Sequence, residues 1–419
     1  MAKKNKKDAG KNKKEAGLYK AKGRITFMIV GMIVAYSVIA LRLFDLTVLK
    51  AMQAPAEAAV KTAKAEAHLR GEIVDRNGVL LATSLKTASL YVDPKFVTDP
   101  AKIADDLVKI LPSLTRDEVI KKLSEKEKRF VWLERNITPK QQYEINALGH
   151  PALDFKFEDR RIYPLHSLTA HAVGYTDVDG QGIAGIEKKF NQQLEAGEAP
   201  VTLTLDTRVQ YILRKHISEI VKEFSAVAGA GIIMEIETGD ILAMVSYPDF
   251  DPHHPNRASE EALFNRATLG VYEMGSTFKL FSTAAALDHG QVTMASRFDT
   301  RTPIKIGRFT INDFRGKDRV LSLPEVFMYS SNIGTAKMAL TVGGEGLKDF
   351  YKRLGFDRPV VFDLPEMGKP LFPQKRWGEL VTITTSFGHG VAVTPLHVVQ
   401  ATAALLNGGK LIAPHLVYS

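Results

Sequence analysis

Residues 25 to 41 are seventeen consecutive positions without a charge, and they follow a tail in which residues 1 to 24 hold ten Lys or Arg against Asp8 and Glu15. A stretch of that length is about what the hydrocarbon core of a bilayer requires. Arg42 and Asp45 stand close enough to the apolar positions that follow for their heads to reach the interface, so the expected span runs over residues 25–49. The basic tail is retained in the cytoplasm under the positive-inside rule, which places everything after Lys50 on the periplasmic side of an inner membrane. The competing expectation is a cleaved leader, for which Ala54-Pro55-Ala56 offers a small-residue cleavage site. Its apolar core would exceed the roughly 7 to 15 residues usual for a leader, which favours an uncleaved anchor.

The same tail explains the charge. It supplies +8 of the formal net charge of +9, so the remainder of the 419 residues is close to neutral. A surface that near to neutral gives no case for wrapping a polyanion, and no nucleic-acid partner is expected. The chain has no cysteine, which removes a thiol nucleophile, a thiolate zinc site and a disulfide framework from consideration.

Beyond the anchor, residues 51 to 68 are rich in Ala, Lys and Glu and read as a helical stalk or a flexible linker. The run Arg70-Gly71-Glu72-Ile73-Val74-Asp75-Arg76-Asn77-Gly78-Val79-Leu80-Leu81-Ala82 predicts a strand, an Asn-Gly turn and a second strand. Residues 100–148 are polar with helical periodicity, Leu107, Ile110, Leu111 and Leu114 making one face and Val119, Ile120 and Leu123 the next. After a mixed segment ending near Pro200, a helix through Val209, Ile212, Ile217 and Val221 is expected, with Asp206 or Thr207 as its N-cap. Residues 228–247 read as an antiparallel hairpin turning at Glu237-Thr238-Gly239-Asp240, and helices are expected over 276–288, 323–338, 347–354 and 396–406. A sheet with a cluster of helices is an α+β arrangement.

Chemistry is concentrated in Tyr272-Glu273-Met274-Gly275-Ser276-Thr277-Phe278-Lys279. Gly275 permits a sharp turn, while Phe278, Phe281 and Ala285 give the following helix a face to bury. Ser276 then lies at the helix N-terminus with Lys279 three positions on, so hydroxyl and amine share one side of the first turn. The electropositive helix end and partial desolvation both disfavour an ammonium, which suits Lys279 to act as a base. The same helix end points N–H groups toward an oxyanion on an attacked acyl carbon. Ser-x-x-Lys arises by chance roughly once or twice in a chain of this size and occurs once here, so alone it reads as readily as a solvated helix lysine. Tyr329-Ser330-Ser331-Asn332 is a second element. Ser330 and Asn332 suit proton relay and binding of a substrate amide, and the bland alternative is a helix N-cap.

The two elements together match the signature of serine penicillin-interactive enzymes. The chain resembles the class B penicillin-binding proteins, nearest to the septal, cell-division (FtsI) type. The resemblance extends over most of the chain: residues 70–82, Arg161-Ile162-Tyr163-Pro164 leading to Ala170-His171-Ala172-Val173-Gly174, Gly182-Ile183-Ala184-Gly185-Ile186-Glu187, and Ser386-Phe387-Gly388-His389-Gly390 leading to Thr394-Pro395. The first three sets are read as structural, fixing turns and domain contacts. The resemblance implies a basic cytoplasmic tail (1–24), a transmembrane helix (25–49), a stalk with a mixed α/β pedestal, or dimerisation-type, domain (50–200) and a penicillin-binding transpeptidase domain (201–419). It also implies Ser276, Lys279, Ser330 and Asn332 as catalytic residues, peptidoglycan stem peptides ending in D-Ala-D-Ala as substrates, β-lactams as inhibitors, and divisome membrane proteins such as a glycosyltransferase as partners. No metal or organic cofactor is implied, and the histidines, including His253 and His254, lack a ligand spacing such as His-Glu-x-x-His.

One departure stands out. Neither Lys-Thr-Gly nor Lys-Ser-Gly, the family's third motif, occurs in the 419 residues, so the expectation is a C-terminally truncated enzyme whose catalytic domain is incomplete. Two other readings stay open from the sequence: a serine β-lactamase or penicillin sensor, and a non-catalytic scaffold of the division machinery.

Overall fold

The computed structural model describes residues 31–34, 36–42, 69–197 and 199–418. Residues 31–34 and 36–42 are helical and exposed. No helix among the described residues is long and apolar enough to cross a membrane. Most of the expected span over 25–49, and the stalk over 51–68, lie outside the described residues.

The first folded part is organised by one long strand. β1 (Ile73–Val74) and β2 (Leu80–Val92) pair antiparallel as expected. The turn between them starts earlier than the Asn-Gly pair. The Asp75 carbonyl accepts the Gly78 amide, and Asp75 Oδ1 accepts the amides of Asn77 (2.8 Å) and Val79 (2.9 Å). Short acidic side chains favour this because they satisfy their own downstream amides. The helices α1 (Pro100–Ile110) and α2 (Arg116–Leu123) begin at Asp99 and Thr115. Residues Val131–Ile137 form a strand, β3, where helical periodicity was expected. The cause is tertiary: β2 extends to Val92 and leaves an edge at Ala88 to Val92 that Val131–Ile137 fills antiparallel, burying Leu133 and Ile137. After α3 (Pro139–Ala147), β4 (Leu153–Ile162) runs along the other edge of β2. α1, α2 and α3 close over this sheet around Leu90, Leu107, Leu111, Val119, Leu123 and Ile145.

Short helices α4 (Ala170–Val173), α5 (Gly185–Lys189) and α6 (Asn191–Ala196) then lead to β5 (Val201–Thr202), which lies parallel to β1. Gly174, at φ +79°, packs so tightly on Ala184 that a β-carbon there would come within 1.8 Å of the Ala184 carbonyl oxygen. That close approach is the physical content of the two glycine-bearing motifs. α7 (Thr207–Glu223) is capped by Asp206, and β6 (Gly229–Met234) and β7 (Ile241–Tyr247) form the expected antiparallel hairpin. One core joins these pieces, since Ile73, Leu81 and Val201 share it with Leu205, Ile241, Leu396 and Leu416.

The rest is a helical cluster: α8 (Glu260–Leu263), α9 (Lys279–Asp288), α10 (Leu323–Met328), α11 (Asn332–Val342), α12 (Gly344–Arg353), α13 (Glu379–Ser386) and α14 (Pro395–Leu406). Between α9 and α10 lie two small antiparallel pairs, β8 (Arg297–Asp299) with β11 (Val320–Ser322), and β9 (Ile304–Ile306) with β10 (Phe309–Ile311). The helix expected over 323–338 is broken, because Ser330 adopts φ +53° between α10 and α11. The core of the cluster is aromatic, with fully buried Phe278 and Phe356 each in ring contact with both Phe281 and Tyr351. Each such ring removed from water is worth about 1.5–3 kcal/mol, enough to fix the segment that carries it. The described architecture is the expected α+β class.

Candidate active site

Ser276 stands on a single 3-10 turn, Gly275–Phe278, that runs directly into α9. Gly275 takes φ +53°, as the sharp turn requires. Phe278 and Phe281 lie in the aromatic core with Ala285, the face foreseen for this helix, so the turn is held from beneath while Ser276 and Thr277 stay exposed. A 3-10 turn brings positions i and i+3 into line, which aligns residues 276 and 279. Lys279 is 3% exposed. Its Nζ donates to Ser330 Oγ at 2.9 Å and to the Ser330 carbonyl at 2.5 Å. Burial pushes the amine down to about 8, with the charge of Asp313 pulling in the opposite direction. An amine so placed is neutral in a large fraction of molecules near pH 8 and can take a proton from a hydroxyl.

The structure therefore brings Ser276, Lys279 and Ser330 into one neighbourhood from two elements. Ser330 reaches Lys279 because the break between α10 and α11 turns its hydroxyl and carbonyl the same way. Asn332 is the first residue of α11 and donates from Nδ2 to the Asn312 carbonyl at 2.9 Å. The N-cap alternative is also realised, one residue away from the candidate pair. Ser331 caps α11, its Oγ accepting from the Gly334 amide at 2.9 Å.

Three features of the site carried no signal as chemistry in the sequence. The first is a strap over residues 386–393. A β-carbon on Gly388, at φ +80°, would lie 2.2 Å from the Gly275 carbonyl oxygen, so only glycine lets this segment sit against the Ser276 turn. On the same strap, the Gly390 amide donates to Glu273 at 2.8 Å and the backbones of Val393 and Tyr272 bond in both directions. The Gly390 amide, with His389 beside it, holds the Glu273 carboxyl below its usual range. The second feature is Asp313, which binds Ser331 and the start of α11. The third is Ser282 on α9, whose hydroxyl donates to the Ser386 carbonyl at 2.5 Å and meets Tyr351 Oη at 2.8 Å. The glycines were visible as a motif, but which backbone they approach is a property of the folded chain.

Away from this site, His166, Asp251 and His253 gather with ligand-capable atoms within 4.8 Å of one another, a grouping the linear spacing did not reveal. The His253 ring is already committed. Its Nε2 accepts the Tyr163 amide at 3.0 Å, so the proton sits on Nδ1, which faces Asp251 Oδ1 at 2.9 Å. A cation at Nδ1 would displace that proton to Nε2 and break the Tyr163 contact, so the group reads as a clasp between two loops.

Comparison with known proteins places this geometry. Residues 229–419 match the model of the penicillin binding protein transpeptidase domain, and residues 65–222 match that of the penicillin-binding protein dimerisation domain. The probable peptidoglycan D,D-transpeptidase FtsI of Caulobacter vibrioides is 40% identical over 346 residues, which cover 82% of this chain and 58% of that protein. The probable peptidoglycan D,D-transpeptidase PenA of Neisseria gonorrhoeae is 32% identical over 424 residues, covering 94% of this chain and 73% of that protein. The peptidoglycan D,D-transpeptidase FtsI of Escherichia coli is 32% identical over 371 residues, covering 81% and 63%. The chain thus spans less than two thirds of two of these relatives. With both family models matched in order and the Ser276 and Ser330 motifs meeting at Lys279, the chain belongs to the class B penicillin-binding proteins of the FtsI type.

Proposed function

We propose that this chain is a peptidoglycan D,D-transpeptidase that cross-links stem peptides during septal wall synthesis, with Ser276 as nucleophile. The observation that carries the reading is the contact with Ser330 of a buried, weakly basic Lys279 that directly follows the Ser276 turn. Lys279 takes the proton from Ser276 Oγ as that oxygen bonds to the penultimate D-Ala carbonyl carbon of a donor stem peptide. The tetrahedral intermediate is stabilised in part by the backbone N–H of Ser276. The C–N bond to the terminal D-Ala then breaks, and the proton passes from Lys279 through Ser330 to the departing amine. The amine of a neighbouring stem peptide attacks the acyl-serine ester, forms the new amide and returns Ser276 to its starting state. Asn332 contributes an amide contact to the bound peptide. β-Lactams open on the same serine and remain there.

The basic tail and the charge-free run over residues 25–41 support a single inner-membrane anchor with the tail in the cytoplasm and the catalytic part in the periplasm. That anchor is also a surface for pairing with membrane partners of the division machinery, a glycosyltransferase among them. We place the boundary between pedestal and catalytic domain near residue 200.

The test is a donor peptide ending in D-Ala-D-Ala supplied together with an acceptor amine. Release of D-Ala should match formation of the cross-linked product and disappear in Ser276→Ala. Undiminished release in Ser276→Ala would sink the assignment, and rapid release of hydrolysed drug after treatment with a fluorescent penicillin would favour a β-lactamase.

A further inference from the structure

We infer that Asp313 is a positioning residue for the Lys279–Ser330 pair, acting through the turn that carries Ser330. The inference rests on the reading of Ser276, Lys279 and Ser330 as the acyl-transfer group. Asp313 follows β10 and is half-buried. Its Oδ2 accepts the Ser331 hydroxyl at 2.7 Å and its Oδ1 accepts the Ile333 amide at 2.9 Å. The adjacent Asn312 carbonyl accepts Asn332 Nδ2 at 2.9 Å. Residues 331, 332 and 333 are thus each held from outside α11 by the same two-residue segment.

That grip has a purpose at residue 330. Ser330 is held at φ +53°, a region that side-chain-bearing residues avoid unless neighbours over-determine it. The conformation is what turns both its oxygens toward Lys279. A lone N-cap would be satisfied by Ser331 accepting from Gly334. With that lone pair engaged, the Ser331 proton has to be donated, and a carboxylate can accept it and the Ile333 amide together, whereas an amide side chain offers one acceptor and one donor.

Asp313 also supplies the charge that opposes the desolvation of Lys279. Several other charged groups on the elements around α9 are engaged elsewhere, while Asp349 on α12 and Glu379 on α13 are exposed and Lys352 on α12 is half-buried. Lys337 on α11 donates to the Asp299 carbonyl, Glu325 on α10 pairs with Arg319, and Glu273 pairs with His389. On α12, Lys348 donates to the Gln374 and Lys375 carbonyls, Arg353 pairs with Asp288, and Glu345 accepts the Trp377 amide.

The experiment follows the titration of Lys279 by 13C NMR in lysine-labelled full chain, with its signal identified by its loss in Lys279→Met. Acylation of Ser276 by a fluorescent penicillin is measured across the same pH range. Asp313→Asn should lower the Lys279 midpoint, shift the pH limb of acylation to lower pH in step, and cut the plateau rate by at least about tenfold. Ser331→Ala, which keeps the charge and loses one contact, should cut the rate without moving the midpoint. A midpoint in Asp313→Asn that is unchanged or raised, or a plateau rate like that of the parent in either variant, overturns the inference. If the parent is not acylated at Ser276, the transpeptidase reading falls, and the NMR midpoint still decides whether Asp313 sets the state of Lys279.

Discussion

Burial against Ser330 sets the working range of Lys279. Its amine falls to about 8 from an ordinary lysine near 10.5, and the neutral form is the one proposed to act as base. Acylation of Ser276 by a penicillin should therefore climb with pH and level off above a midpoint near 8, measured as adduct formation by stopped-flow fluorescence. A midpoint near that of a free lysine would mean that Lys279 is not the base. Gly388 makes a sterically sharper case, because Gly388→Ala drives a β-carbon into the Gly275 carbonyl and strains a backbone at φ +80°. Overpacking of that kind costs about 1–3 kcal/mol, and here the give must come from the Ser276 turn. The acylation rate of Gly388→Ala should fall about tenfold or more while thermal unfolding shows the fold retained. That Ser276 and Lys279 share one turn was legible because their relation is local, three positions apart. The bond from Lys279 to Ser330 spans 51 positions, and nothing in the spacing states it.

At the scale of elements, local rules were good guides where caps and patterns agree. Of the two expected N-caps, Asp206 and Thr207, it is Asp206 that accepts the Arg208 amide, and the hairpin over β6 and β7 follows its two apolar runs. Reading failed where a neighbour decides the outcome. Val131-Trp132-Leu133-Glu134-Arg135-Asn136-Ile137 lacks clean alternation and is a strand because β2 offers it an edge. The continuous apolar pattern over 323–338 hid the break at Ser330, since a single residue at positive φ leaves hydrophobic periodicity intact. The strap over 386–393 is the element on which the site leans: it touches the Ser276 turn at Gly275, Glu273 and Tyr272. Glu273→Gln keeps one acceptor for the Gly390 amide but loses the charge facing His389. Its acylation rate should drop by a few-fold, much less than in Gly388→Ala, and an equal loss in the two variants would show that the glycine contact is not the dominant one.

Across the whole molecule, a shared core joins residues on either side of position 200, and a buried ion group locks the part before it. Glu187 is fully buried, with Arg70 Nε at 2.7 Å from one carboxylate oxygen and Arg161 Nε at 2.7 Å from the other. Arg161 also donates to the carbonyls of Arg70 and Gly71, fastening the entering chain to the end of β4. Neutralising the one acid between two guanidinium groups leaves buried cations uncompensated, which typically costs about 3–5 kcal/mol. Glu187→Gln should lower the denaturant midpoint accordingly without altering which serine is acylated, and an unchanged midpoint would show that the ion group does not stabilise the fold. The sequence motifs at Arg70, Arg161 and Glu187 marked these positions as structural, yet only the fold shows that they are one ion group. On the proposed reading, the strap and the aromatic core hold the turn that carries the nucleophile Ser276 and leads into Lys279. The direct measurement is peptide mapping by mass spectrometry after treating the chain with a penicillin, alongside Ser276→Ala and Lys279→Met. One adduct on the peptide containing Ser276, absent in Ser276→Ala and strongly slowed in Lys279→Met, is the predicted result; an adduct on another residue, or one formed at the same rate without Lys279, contradicts it.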